Sequence, residues 1–219
     1  MPPRKILVVL SSHDKIDSLD KPTGWFLPEF AHPYDLFAKA GFVVDVASPK
    51  GGKPPIDPNS LKDLKKDTVS DDFFENKVEV YGQTTPLVEI AKDANVAAAT
   101  ASKYDALFYP GGHGPLYDLA GDQYSHNLVA AFALQNKISL LAGRRVNGFT
   151  DEEERAVGLD HAVPFLVEKR LREIGAHFES APAFQEKVVV DGNLITGQNP
   201  ASAHAVGRAI VDELQRLGK

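Results

Sequence analysis

Ile6-Leu7-Val8-Val9-Leu10 is an unbroken apolar run rich in β-branched residues. A strand with one wet face alternates apolar and polar residues; a run without alternation predicts a strand buried on both faces, as in a parallel sheet covered by helices. Outward from it, Ser11 to Gly24 is polar and bears Gly and Pro, which reads as a loop. A helix is expected over Pro33–Ala40, with Pro33 in its first turn and Gly41 at its C-terminal cap. Phe42-Val43-Val44-Asp45-Val46 then reads as a second strand. This β-loop-α-β unit predicts an α/β fold with a mostly parallel sheet.

The rest of the chain extends the pattern. Ser48–Pro55 is a Gly/Pro loop, and Asp57–Tyr81 is mixed and partly helical. Thr85-Pro86 is read as opening a helix to about Lys92, and Ala106-Leu107-Phe108-Tyr109 as a short strand running into Pro110-Gly111-Gly112-His113-Gly114. Helical spacing covers Ser125–Lys137. Thr150 three residues before Glu153 is a capping box, and Pro164–Ile174 is a helix closed by Gly175. Asp191-Gly192 between two β-branched runs predicts a type I′ hairpin, followed by a helix over Pro200–Leu217.

The chain has 219 residues, expected as one domain spanning 1–219. Its net charge of −6 argues against a nucleic-acid or anionic membrane surface. With 43% apolar and 25% charged residues it has the composition of an ordinary folded domain. No apolar run reaches the roughly 18 residues needed to span a bilayer, and Ile6–Leu10 is too short for a signal peptide. A cytoplasmic protein is the expectation. There is no cysteine, which excludes disulfides, thiolate metal sites and a cysteine nucleophile.

Two features point to chemistry. The Gly111-Gly112-His113-Gly114 loop follows a predicted buried strand, where open α/β sheets collect ligands and glycine lets N–H groups approach an anion. That geometry also suits an oxyanion hole, although a tight turn explains the same glycines. Glu29 lies among aromatics and prolines in Thr23–Phe30, a setting that raises a carboxyl pKa toward proton-transfer work; a first-turn glutamate favoured by the helix dipole is the plainer reading. His13, Glu29, His32 and His113 match no metal-motif spacing, so no metal is expected. Glu152-Glu153-Glu154 reads as a solvated helix start, and Trp25 and the phenylalanines as core.

Taken in order, several stretches resemble the glyoxalase III (D-lactate dehydratase) group of the PfpI-type, class I glutamine-amidotransferase-like superfamily. They are Lys5–Leu10, Thr23-Gly24 with Glu29, Ala47–Gly52, Tyr109–Gly114, Gly148–Glu154 and Thr196–Ser202. The resemblance implies a flavodoxin-like sandwich that converts methylglyoxal to D-lactate without glutathione, metal or other cofactor. It implies Glu29 as the proton-moving glutamate and Glu154 as the acid that orients the histidine after the nucleophilic cysteine. Gly24, Gly111, Gly112 and His113 would line the substrate pocket. It leaves a homodimer, nuclear as well as cytoplasmic residence, and a holdase-like chaperone role open.

The sequence departs from that pattern where the family carries its strand–Cys-His-Gly-Pro–helix elbow. Gln135-Asn136-Lys137 runs straight into Ile138-Ser139-Leu140-Leu141-Ala142-Gly143. A βα unit of roughly 20 residues is missing by typical element lengths. Ser139 sits in an apolar tetrad without elbow glycines, so it does not replace the sulfur. The expectation is a family member without its nucleophile, with Ile138–Leu141 sliding into the gap as a substitute strand.

Overall fold

The computed structural model describes residues 2–135 and 141–217. Strand β1 (Lys5–Val9) is buried on both faces, as its composition predicts. Ile6 and Val8, with Leu10, enter one core; Leu7 and Val9 enter another. Helix α1 (Leu27–Lys39) starts at Leu27, not at Pro33. Pro28 occupies its first turn, while Pro33 lies inside and leaves the Glu29 carbonyl without its helical N–H donor. The buried residues Leu27, Phe30, Ala31 and Phe37 share one face, which stabilises the turn before Pro33 more than propensity alone would.

Strand β2 (Val43–Ser48) follows Gly41, whose φ of +75° ends α1 as expected. Helix α2 (Thr68–Asn76) lies within the mixed stretch. Thr85–Pro86 forms a two-residue strand, β3, rather than a helical turn; the helix it was expected to open spans Leu87–Ala91, with Pro86 at its N-cap. Proline is tolerated there because β3 is at a sheet edge, where no ladder N–H is needed. Helix α3 (Ala94–Ala101), strand β4 (Ala106–Phe108) and helix α4 (Gln123–Gln135) complete this half.

These four strands form one parallel sheet in the order β3-β2-β1-β4. One face carries α1, α2 and the C-terminal helix over a core of Phe30, Phe37, Phe73, Val206, Ile210 and Leu214. The other packs Leu87, Ala97 and Leu128 from the helices around α3 and α4. The expected sandwich is therefore present.

Beyond β4 the architecture changes. Strand β5 (Arg145–Val146), helix α5 (Asp151–Ala156), helix α6 (Val167–Glu173) and strand β6 (His177–Phe178) follow, with β5 and β6 forming a separate parallel pair. Strands β7 (Val188–Asp191) and β8 (Leu194–Gly197) form the predicted hairpin. Its turn differs from the expected one. Asp191 pairs with Leu194, so the central residues are Gly192 and Asn193, and of these two Gly192 alone has positive φ, the type II′ pattern. Helix α7 (Ala203–Leu217) packs on α1, with Gly207 so close that a Cβ there would lie 2.7 Å from Pro33 Cα.

Among the described residues β4 pairs with β1 and with no other strand. A cavity of about 1040 Å³ is lined by Ala106, Leu107 and Phe108 on this side and by Asn147, Ile195 and Thr196 beyond it. The substitute strand expected over Ile138–Leu141 falls outside the described residues, apart from Leu141. That residue lies in a bend and packs on the small core of Val146 and Phe178.

Candidate active site

The loop after β4 is held by backbone contacts that only glycines permit. Phe26 N–H donates to Gly111 O (3.1 Å), and Gly114 N–H donates to Gly24 O (3.1 Å). Gly112 has a φ of +106°, and a Cβ there would meet Gly24 O at 2.5 Å. Gly111, Gly112 and His113 line the cavity. Gly24 does not: it is buried behind the loop, where a Cβ would lie 2.1 Å from Pro55 O. Its part is to let two loops touch, not to face a ligand. Among the described residues the Gly112 and His113 N–H groups reach no acceptor.

Glu29 projects from the first turn of α1 into the same cavity. Its carboxyl has no hydrogen-bond partner among the described residues, and the residue is partly exposed. Burial pushes its pKa up to about 7, with the charge of His113 pulling weakly the other way. Glu29 does sit in the first turn, where the helix dipole favours the charged form; here desolvation outweighs that and the net shift is upward. A Cβ on Gly111 would lie 2.8 Å from Glu29 Oε2. In Gly111→Ala the carboxyl moves aside toward water, and its titration midpoint, followed by ¹³C NMR, falls toward the ordinary range. An unchanged midpoint would show that this contact does not set the carboxyl's place.

His113 Nε2 lies 2.9 Å from Glu154 Oε1. Desolvation lowers the His113 pKa, but the hydrogen bond and charge of Glu154, helped by Asp57 and Glu29, outweigh it and the net shift is upward. Glu154 therefore holds a histidine of the Gly-Gly-His-Gly loop. The resemblance gave it the histidine that follows a nucleophilic cysteine, and this sequence has no cysteine.

The triple glutamate is not a solvated helix start. Glu152 is exposed, but Glu153 and Glu154 are 0% and 3% exposed. Glu153 completes the predicted capping box with Thr150. Its Oε2 accepts from Thr150 N (2.8 Å) and Oγ1 (2.9 Å) and from Gln198 Nε2 (3.2 Å). Its Oε1 accepts from Phe184 N (2.8 Å) and Asn199 Nδ2 (2.7 Å). Burial favours the neutral acid, yet these donors outweigh it and hold the pKa below the usual value.

Sequence reasoning missed three parts of the cavity. Asn147 is buried, and its Oδ1 has no partner. Phe149 lies edge-on to His113, with centroids 6.4 Å apart, and Phe184 packs on Phe149 at 6.3 Å. These two phenylalanines line the cavity instead of the core, whereas Trp25 is core as expected. The only signal was position: Asn147 and Phe149 flank the glycine of Val146-Asn147-Gly148-Phe149-Thr150. His13 stacks on Tyr117 and His32 pairs with Asp67 at 2.8 Å; neither lines the cavity. Among the described residues no group of three or more His, Cys, Asp or Glu is placed to hold a metal ion.

A model described as "ThiJ/PfpI family-like" matches residues 21–163, well over half of the chain. The chain belongs to the ThiJ/PfpI family. Within this family, the Saccharomyces cerevisiae "Glutathione-independent glyoxalase HSP31" is 31% identical over 244 aligned positions, spanning 98% of this chain and 100% of the relative. The chain has 219 residues, so at least 25 of those 244 positions have no residue in it. Among solved structures, the Francisella tularensis Rapid Encystment Protein 24 kDa superposes with a TM-score of 0.85 at 30% identity, covering 96% of this chain and 99% of that one. Glyoxalase III from Candida albicans superposes with a TM-score of 0.78 at 21% identity over 96% and 97% of the two chains, a likeness of fold. The family's flavodoxin-like α/β fold, with its mostly parallel sheet, is that of this chain. No helix among the described residues is long and apolar enough to cross a membrane.

Proposed function

We propose that this chain is a glyoxalase III-like member of the family that keeps the carbonyl-binding cavity and its acid–base groups but not the covalent step. The absence of any cysteine from the sequence carries this reading. In the mechanism implied by the resemblance, a thiolate attacks the aldehyde carbon while a glutamate moves protons. Here Glu29, with a pKa of about 7, can donate to or accept from a carbonyl or hydrate oxygen near neutrality. His113, whose pKa its pairing with Glu154 raises against the effect of burial, and the Gly112 and His113 N–H groups favour a partly negative oxygen. Asn147 Oδ1 offers an acceptor to a ligand hydroxyl. None of these forms the carbon–sulfur bond, and losing one member of a cooperative catalytic unit costs several orders of magnitude.

The alignment of this 219-residue chain over 244 positions with a relative supports the missing elbow as the cause. The relatives' glyoxalase names support a small aldehyde such as methylglyoxal as the bound compound, and the proposed setting is cytoplasmic. The expected result with purified protein is methylglyoxal consumption at the uncatalysed rate, beside rapid consumption by a cysteine-bearing relative. Comparable turnover by both would overturn the proposal. A second reading, a holdase-like chaperone, is favoured by the apolar side chains lining the cavity and by the edge of β4 that no strand covers among the described residues. It requires suppression of client aggregation without turnover, and no suppression at stoichiometric excess would remove it.

A further inference from the structure

Phe184 combines three properties that rarely occur together. It is a bulky residue with a φ of +61°, its ring is half exposed, and it lines the mouth of the cavity that holds His113 and Glu154. A left-handed backbone at a non-glycine residue costs free energy and persists only where surrounding contacts over-determine it. Those contacts are present and buried. Glu153 Oε1 accepts from Phe184 N–H at 2.8 Å. Gln198 Oε1 accepts from Ala181 N–H at 2.9 Å, and Asn199 Nδ2 donates to Gln185 O at 2.7 Å. Glu153, Gln198 and Asn199 are each at most 4% exposed. Three buried polar side chains thus fix a five-residue loop, exposed at Pro182, Phe184 and Gln185, that carries this ring. That ring packs on Phe149 at 6.3 Å, and Phe149 stands edge-on to His113. The result is a preorganised aromatic wall beside the carbonyl-binding groups.

We propose that Phe184 is a specificity-determining residue of the cavity, held in place by Glu153, Gln198 and Asn199 to select carbonyl compounds that carry a flat, unsaturated or aromatic substituent. This rests on the reading of the cavity as a carbonyl-binding site and names the ligand class it prefers. Aromatic faces and edges attract one another beyond their buried area, whereas a saturated ring of similar size offers only area.

Two unreactive ketones separate these contributions: acetophenone and cyclohexyl methyl ketone, titrated against the amide resonances of Gly111, Gly112 and His113. The wild type is expected to bind acetophenone about fivefold more tightly than its saturated counterpart. Phe184→Tyr keeps that preference. Phe184→Gly abolishes it while remaining folded, because glycine accepts this backbone conformation without strain. Equal binding of the two ketones by the wild type, or an undiminished preference in Phe184→Gly, would overturn the proposal. If neither ketone shifts these amides, the carbonyl-binding reading falls and takes this one with it. Turnover of methylglyoxal would contradict only the loss of catalysis.

Discussion

Glu29→Gln stabilises the fold at pH 8, by up to roughly 3 kcal/mol, and changes it little at pH 4. Burial raises the Glu29 pKa from 4.5 to about 7. In the native state the carboxyl therefore holds its proton over a range where the unfolded chain has already released it. Stability from the protonated form is complete below pH 4.5 and is lost as pH rises through 7. Glutamine has no proton to lose, so the variant escapes that decline. The figure is an upper one, because the residue is partly exposed. His113, whose pKa is also raised, loses its contribution over an overlapping range as pH rises; the difference between variant and wild type isolates Glu29. Urea unfolding at pH 4, 6 and 8 measures it. Parallel stability–pH curves for the two proteins would mean that the carboxyl is solvated and not poised for proton transfer.

Glu153→Ala is the opposite case and is expected to cost about 4 kcal/mol or more at neutral pH. The carboxylate satisfies donors from Thr150, Phe184, Gln198 and Asn199, all in a region without water access to Glu153 itself. Alanine leaves these donors buried and unpaired and also removes the capping box of α5. Glu153→Gln keeps the shape but turns one acceptor into a donor facing donors, so a loss of about half that size is expected. The sign with pH is again fixed by the shift. A lowered pKa means stability present above the ordinary carboxylate range and lost as pH falls through the lowered pKa, so the difference between wild type and variant narrows in acid. A loss under 1 kcal/mol would show that the three segments meeting at Glu153 hold together without it.

Legibility in the sequence followed how local the physics was. Ile6–Leu10 announced a strand buried on both faces because burial on both faces removes any need for alternation. Thr150 and Glu153 announced the start of α5 because a capping box is closed within one turn. Pro33 misled, since proline in a first turn is the common case, and what holds the helix through it is burial of the Leu27, Phe30, Ala31 and Phe37 face against residues far along the chain. Pro86 misled for a similar reason: its strand is defined by a neighbour at Ala47 and Ser48. In the site, the Gly111-Gly112-His113 loop and Glu29 stood out locally, but local reasoning left a tight turn and a first-turn acid as the plainer readings, and only the resemblance gave them roles. The burial of Glu153 and Glu154 was not legible, because their partners come from positions as distant as His113 and Asn199. Phe184 was invisible for the same reason: a strained backbone is imposed by tertiary contacts and leaves no mark in composition.

Lactate formation under single-turnover conditions tests the central claim most directly. Protein in excess over isotopically labelled methylglyoxal is held at pH 7 for many times the turnover period of a cysteine-bearing relative, and D-lactate is quantified by a stereospecific assay. The prediction is D-lactate no higher than in protein-free buffer. Stoichiometric D-lactate, abolished by Glu29→Gln, would show that this cavity completes the reaction without a thiolate.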